Sequence, residues 1–371
     1  MNDSEYMRRA IELARLGAGG TSPNPMVGAV IVKNGKIIGE GYHKKYGELH
    51  AERNAFASLT ESARGATLYV TLEPCCHHGR QPPCTKAVIE RGISRVVIGS
   101  RDPNPLVSGK GAEILRQHGI RVEEDFLKEE CDALNPVFFH YITTGLPYVV
   151  MKYAMTLDGK IATRTGTSKW ITGKMARQHV HGLRGRCSAI LAGIGTVLAD
   201  DPLLNCRIDG AHQPVRIIAD SHLRIPLDSR IARTAREYRT IVACACDNPE
   251  KEAALRDMGV EVLHIPDHQG KVNLCELIEY LGREKIDSVL IEGGGQIHEA
   301  ALRDGIVNHV CAYIAPKLFG GAAAKTPVEG LGVNLPDEAA ILCNLQTTQL
   351  GEDILLEYDM KEGMNGVYRH C

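Results

Sequence analysis

Glu73-Pro74-Cys75-Cys76-His77-His78-Gly79-Arg80-Gln81-Pro82-Pro83-Cys84 stands between a strand-like run, Thr67–Leu72, and a helix-like stretch, Cys84–Arg91. Strand, loop and helix in succession are the repeating step of a layered α/β domain. The same step extends on both sides. Upstream, Met26–Lys33 and Lys36–Tyr42 read as strands joined at Asn34-Gly35, a strong hairpin signal. A helix opens near His50 and runs to about Leu59, and an earlier one carries Met7, Ala10, Ile11 and Ala14 on one face, with Ser4 as its expected cap. Downstream, strand Arg95–Ile98 and helix Gly111–His118 complete a first domain over residues 1–124. Residues 125–146 read as a linker of mixed charge ending in a Gly-Leu-Pro turn, and 147–371 as a second α/β domain. Its strands fall near Tyr148–Ala154, Ala189–Ala192, Val215–Ala219, Thr240–Cys244, Glu261–Ile265 and Ser288–Ile291.

The quoted stretch also carries chemistry. His50-Ala51-Glu52 opens one helix, Cys75 closes a strand, and Cys84 opens the next helix. One imidazole and two thiolates hold zinc while leaving a fourth position for water, the requirement of a catalytic site. Zinc lowers the pKa of such a water to about 7. Glu52, two residues past the histidine, is placed to carry protons without ligating the metal. His-Ala-Glu with a later Pro-Cys and a second cysteine is the zinc-deaminase signature, except that the usual two-residue spacing between the cysteines is here a long loop. A closed structural knuckle built from Cys75, Cys76, His77 and His78 would leave Glu52 idle, so Cys76 is read as a bystander.

Composition narrows the class of partner. The chain has 371 residues, a formal net charge of −2 and only 5% aromatic residues. It shows neither the basic stripe nor the aromatic platform that nucleic acid requires, so a small molecule is the expected substrate. The N-terminus has no apolar signal-peptide core, and no apolar run is long enough to cross a bilayer, so a cytoplasmic enzyme is expected. Scattered cysteines such as Cys187, Cys206 and Cys311 read as small buried hydrophobes.

With Thr21-Ser22-Pro23-Asn24-Pro25-Met26-Val27-Gly28 and Gly41-Tyr42-His43 added, the first domain resembles the deaminase half of the bifunctional riboflavin-biosynthesis deaminase/reductase family, whose own feature is the long cysteine loop. The resemblance implies a cytidine-deaminase-like fold and one zinc per chain on His50, Cys75 and Cys84, with Glu52 as proton carrier. It also implies a base pocket lined by Asn24 and His43 and a substrate that is a diaminopyrimidinone carrying ribose 5-phosphate. His77, His78 and Arg80 are candidates to meet the phosphate.

The second domain lacks a Gly-x-Gly-x-x-Gly fingerprint. Gly293-Gly294-Gly295, between a strand and a helix, could cradle phosphate or form a tight turn. Met151–Ala162, Ser168–Thr172, Gly193–Pro202 and Glu292–Gly295 resemble the reductase half of the same family. That implies a dihydrofolate-reductase-like fold and NADPH as cofactor. NADPH contacts would come from Ala154, Trp170, Thr196, Asp200, Ser221, Gly294, Gly295 and Gln296. Substrate contacts would come from Lys152, Ser168, Arg184, Leu204, Arg207 and Glu292, with Arg184 and Arg207 as phosphate forks and Lys152 seeking the phosphate charge. Asp200 and Lys152 are both candidates to protonate the nitrogen. Ser221 and Arg224 are the expected partners of the cofactor's 2′-phosphate. A homo-oligomer is the expected assembly. A different zinc nucleoside deaminase with an accessory domain, and a non-catalytic zinc-stabilised protein, are the competing readings.

Overall fold

The computed structural model describes residues 1–77, 82–104 and 107–361. His78 and Arg80 therefore lie outside the described residues. The chain divides into two units, Met1–Gly145 and Leu146–Cys371.

In the first unit, α1 (Asp3–Arg15) is followed by the hairpin β1 (Gly28–Lys33) and β2 (Lys36–Tyr42), then α2 (Ala51–Ala57) and β3 (Thr67–Leu72). Next come α3 (Cys84–Glu90), β4 (Arg95–Ser100), α4 (Lys110–Gln117), β5 (Arg121–Glu123), α5 (Lys128–Asp132) and α6 (Pro136–Thr144). The sheet order is β2-β1-β3-β4-β5, with β1 antiparallel to both neighbours and β3, β4 and β5 parallel. The Asn34-Gly35 turn takes positive φ at both residues and pairs Lys33 with Lys36, as the dipeptide demands. Alternate residues of β1 face opposite cores. Ala29 and Ile31 pack with α2, while Val30 and Val32 pack with Met7, Ala10 and Ile11 of α1.

Two expectations are corrected here. The cap of α1 is Asn2, not Ser4: its side chain accepts from Glu5 N–H at 3.0 Å and Glu5 returns the bond at 2.6 Å, a closed capping box. Residues 125–146 are also more than a linker. They form α5 and α6, and Cys131 and Leu134 are buried against α1 and its strands, so the first unit runs to Gly145.

The second unit opens with β6 (Tyr148–Thr156), α7 (Lys174–Arg186), β7 (Ala189–Gly193), α8 (Ile194–Asp200), β8 (Val215–Ala219), α9 (Arg230–Arg233), β9 (Thr240–Cys244), α10 (Pro249–Asp257) and β10 (Val260–His264). It continues with α11 (Leu274–Arg283), β11 (Ser288–Ile291), α12 (Gly295–Arg303), β12 (His309–Ala315), β13 (Leu342–Leu350) and β14 (Asp353–Met360). The nine strands run β10-β9-β8-β7-β11-β6-β12-β14-β13, parallel from β10 through β12 and antiparallel at the last two pairings. Fully buried strands such as Ala189–Ala192 and Ser288–Ile291 carry the unbroken apolar runs of a sheet covered on both faces. One face packs against α7, α8, α9 and α10, the other against α11 and α12. The sequence reading stopped at β11 and gave no strands to residues 309–360.

Candidate functional site

In the first unit, three elements deliver the metal-type donors to one place. His50 caps α2, Cys75 follows β3, and Cys84 begins α3. His50 Nδ1 lies 3.5 Å from Cys75 Sγ and 3.4 Å from Cys84 Sγ. Tetrahedral zinc with ordinary Zn–N and Zn–S bonds sets such donors about 3.5 Å apart, so this donor set fits the ion. Cys84 N–H donates to Cys75 Sγ at 3.3 Å, and the hydrogen bonds from Cys84 and His50 hold the Cys75 thiol well below its usual range. Arg53 of α2 donates to the carbonyls of Pro82 and Pro83, which anchors the end of the long loop so that Cys84 meets its partners.

Glu52 is 3% exposed, and burial raises its carboxyl above the ordinary value, with the Cys75 charge adding to the effect. A carboxyl so raised takes up a proton more readily at neutral pH. A cavity of about 260 Å³ opens in front of Glu52, His50 and Cys75, with Asn24 and His43 on its wall. Burial lowers the pKa of His43, so its ring is neutral. Its Nδ1 faces the Leu49 carbonyl at 3.0 Å and must donate there, leaving Nε2 to accept from the Asn24 amide at 3.2 Å. That chain of bonds fixes which end of Asn24 is the acceptor.

The sequence reading named His77 but missed Asp102, Asn104 and Glu73. His77, Asp102 and Asn104 also line the cavity. The His77 Nδ1 is buried without a partner among the described residues, and burial pushes the Asp102 carboxyl up to about 6. Glu73 is buried and accepts from the N–H groups of Gly109 at 3.0 Å and Ala112 at 3.1 Å, tying the cysteine strand to the start of α4. Only its place beside Pro74-Cys75 hinted at this.

In the second unit Glu292, just past β11, carries a carboxylate with only 5% of its side chain exposed. Arg184 of α7 grips it with two bonds, at 2.5 and 2.8 Å, and Lys152 of β6 stands 3.5 Å away. Burial would raise the Glu292 carboxyl, but the charges of Arg184 and Lys152 outweigh it and hold the group at about 2. This corrects the reading of Arg184 as a free phosphate fork. Its fork closes on Glu292, and its remaining nitrogen donates to the Asn205 carbonyl at 3.0 Å. Lys152 likewise finds its counter-charge within the chain. The trio still carries one net positive charge. Arg207 is exposed, its backbone N–H donating to His181, and Leu204 is buried.

The helix starts of α8 and α12 lie side by side. Gly193 N–H donates to the Gly293 carbonyl at 3.0 Å, and a Cβ on Gly294 would stand 3.9 Å from Thr196 Oγ1. A Cβ on Gly295 would come within 2.7 Å of the Thr326 carbonyl, so only glycine fits there. Two adjacent helix starts make a cradle suited to a phosphate. Ser168 donates to Asp200 at 2.8 Å. Trp170, 61% exposed rather than a core filler, lies under the Arg177 guanidinium at 4.6 Å. Ala154 is half-buried on β6, Gln296 is exposed at the start of α12, and Ser221 Oγ accepts from Val272 N–H at 3.1 Å.

Fold and site together define a two-activity enzyme, a zinc-type deaminase unit followed by a reductase unit. The family model for the cytidine and deoxycytidylate deaminase zinc-binding region matches residues 1–100, and the model for the RibD C-terminal domain matches residues 147–356. The chain belongs to the RibD family of riboflavin-biosynthesis proteins. The riboflavin biosynthesis protein RibD of Actinobacillus pleuropneumoniae is 58% identical over 358 residues, covering 96% of this chain and 95% of its own. That of Escherichia coli K12 is 42% identical over 345 residues, covering 87% and 90%. Among solved structures, Acinetobacter baumannii RibD, form 1, superposes with a TM-score of 0.85 at 39% identity, covering 97% of this chain and 99% of that one. The diaminohydroxyphosphoribosylaminopyrimidine deaminase/reductase of Thermotoga maritima gives 0.83 at 41% identity, covering 96% and 98%. The expected architecture, a cytidine-deaminase-like unit followed by a dihydrofolate-reductase-like unit, is the one the chain has.

Proposed function

We propose that the first unit hydrolytically deaminates a phosphoribosylated diaminopyrimidinone and that the second reduces the ribosyl chain of the product with NADPH, in the cytoplasm. The observation that carries this reading is the donor triangle of His50, Cys75 and Cys84 beside buried Glu52. Bound in that triangle, zinc would supply an activated water at neutral pH. Glu52 accepts a proton from the attacking water and passes one to the departing amine. His43 orients Asn24, whose carbonyl oxygen is left to accept from an amino group of the base. His77, whose Nδ1 has no partner among the described residues, meets the ribose phosphate.

In the second unit the paired helix starts hold the cofactor's diphosphate, with Ala154, Trp170, Thr196, Asp200 and Gln296 around it. NADPH supplies the hydride. Glu292, clamped by Arg184 and Lys152, receives hydroxyl groups of the substrate, and Arg207 and Ser168 complete its site around Leu204. Lys152 delivers the proton to the nitrogen, since Asp200 is engaged as the acceptor of the Ser168 hydroxyl. Apolar residues exposed on and just before β13 (Leu331, Leu335, Leu342 and Leu345) support assembly as a homo-oligomer. Among the described residues no helix is long and apolar enough to cross a membrane. The test is ammonia release from the diaminopyrimidine, followed by NADPH consumption on the deaminated product. A protein that releases none would return the chain to the non-catalytic reading.

Two expected outcomes follow from the ligand and cofactor assignments. Cys75→Ser and Cys84→Ser each lose about one equivalent of zinc and the deaminase activity with it, whereas Cys76→Ser keeps both. Metal analysis of the three purified variants decides this, and equal loss from Cys76→Ser would reject the ligand set. The reductase prefers NADPH over NADH in kcat/KM, and exposed Arg224 with Ser221 carries that preference. Unchanged selectivity in Arg224→Ala would remove Arg224 from the 2′-phosphate site.

A further inference from the structure

His309 and Cys311 alternate on one face of β12, and Glu357 lies opposite Cys311 on β14. One ring nitrogen of His309, the Cys311 sulfur and a Glu357 oxygen all lie within 4.8 Å of one another. The Glu357 Oε1 is 3.8 Å from the sulfur and 3.9 Å from His309 Nε2. None of these residues has a part in the deaminase or reductase sites described above. We propose that His309, Cys311 and Glu357 form a second metal site, taking a divalent ion of the zinc type and leaving a fourth position for water.

The donor set is the borderline-soft mixture of imidazole, thiolate and carboxylate that zinc and its first-row neighbours accept. Donors on one tetrahedral ion stand about 3.5 Å apart, so the cluster must contract by only a few tenths of an ångström at its measured edges. The surroundings are those of a prepared ligand. His309 Nδ1 bonds Asp359 Oδ1 at 2.8 Å, and the other oxygen of Asp359 accepts from the Asn344 amide at 3.0 Å. A carboxylate holding the far nitrogen of a histidine fixes the ring and aims Nε2 at a metal. Access is present as well: Cys311 is buried, but the side chains of His309 and Glu357 keep 20% and 24% of their exposure. Arg186 contributes one opposing charge near the Glu357 carboxylate. The ion would cross-link β12 to β14 at the antiparallel side of the sheet, a stabilising role with no redox step. With a carboxylate in place of a second thiolate, it would bind more weakly than the ion in the first unit.

The test uses full-length Cys75→Ser/Cys84→Ser protein, stripped of metal and titrated with cobalt(II). The expected result is about one equivalent bound, with a thiolate-to-cobalt charge-transfer band in the near ultraviolet and the visible bands of a four-coordinate ion. Cys311→Ala abolishes the charge-transfer band. Glu357→Gln, at a partly exposed position where folding is not at stake, and Asp359→Asn each weaken binding by about 10–100-fold. If the Cys75→Ser/Cys84→Ser protein binds no cobalt through sulfur, the site does not exist. If the band survives Cys311→Ala, another cysteine is responsible, and if Glu357→Gln binds as tightly as its parent, Glu357 is not a ligand; either outcome makes the assignment fail. In that case His309 is simply an ion-pair partner between Glu357 and Asp359.

Discussion

Glu52→Gln keeps the zinc of the first unit and loses deamination by at least about 10²-fold, up to about 10⁴-fold. The substitution preserves the shape of the side chain and removes its capacity to accept a proton. Zinc stays because Glu52 is not one of the three donors that meet at 3.4–3.5 Å. Reduction of already deaminated substrate stays near the parent rate, since every residue proposed for that site lies in the second unit. Both steps are assayed separately on one preparation, with its metal content measured. Collapse of both activities with zinc retained would mean that the two reactions share a centre. Survival of deamination would hand the proton-carrying role to His43 or His77.

Glu292→Gln has the second large effect, on stability as well as on reduction. It leaves Arg184 and Lys152 facing each other in a buried site with no counter-charge, and breaking a buried ion cluster in this way costs about 3–5 kcal/mol. The pH dependence follows from the same carboxylate. Its pKa in the folded chain, about 2, lies below the ordinary 4.5. The stabilisation it provides is therefore complete above the unfolded value and is lost as pH falls from about 4.5 through about 2. A depression of that size corresponds to about 3 kcal/mol. Denaturant unfolding of the second unit at pH 7 and at pH 3, read separately from the first unit, measures both effects. The parent loses stability on acidification, and the Gln variant starts lower and loses less. Equal midpoints for the two proteins at pH 7 would show that the cluster contributes nothing to the fold.

The metal-type site was legible because its information is local in the sequence. His50, Glu52, Cys75 and Cys84 each sit at a helix start or strand end, and the spacing alone puts them at the same edge of the sheet. Glu73 was not legible. A carboxylate that satisfies two amides of α4 looks no different in sequence from a solvated one. The Arg184 fork was misassigned for a related reason: its partner lies 108 residues away, and nothing local distinguishes a phosphate ligand from a carboxylate ligand. The strands β12, β13 and β14 were missed on different grounds. Strand β13 is exposed along nearly all of its length, so Asn344, Gln346, Thr347, Thr348 and Gln349 show no alternation of period two. Its assignment depends on antiparallel pairing with β14, which only the folded chain reveals. α5 was hidden by charge and brevity, the burial of Cys131 outweighing weak local signals.

Each unit has its own sheet, with a separate apolar core on either face. The residues proposed for each reaction lie within one unit. The covalent joint near Gly145 therefore has a genetic consequence rather than a chemical one. Each round of translation yields one deaminase and one reductase, and no change in expression can unbalance them. A gene split at that joint would trade this fixed ratio for independent dosage, while each product kept a hydrophobic interior of its own.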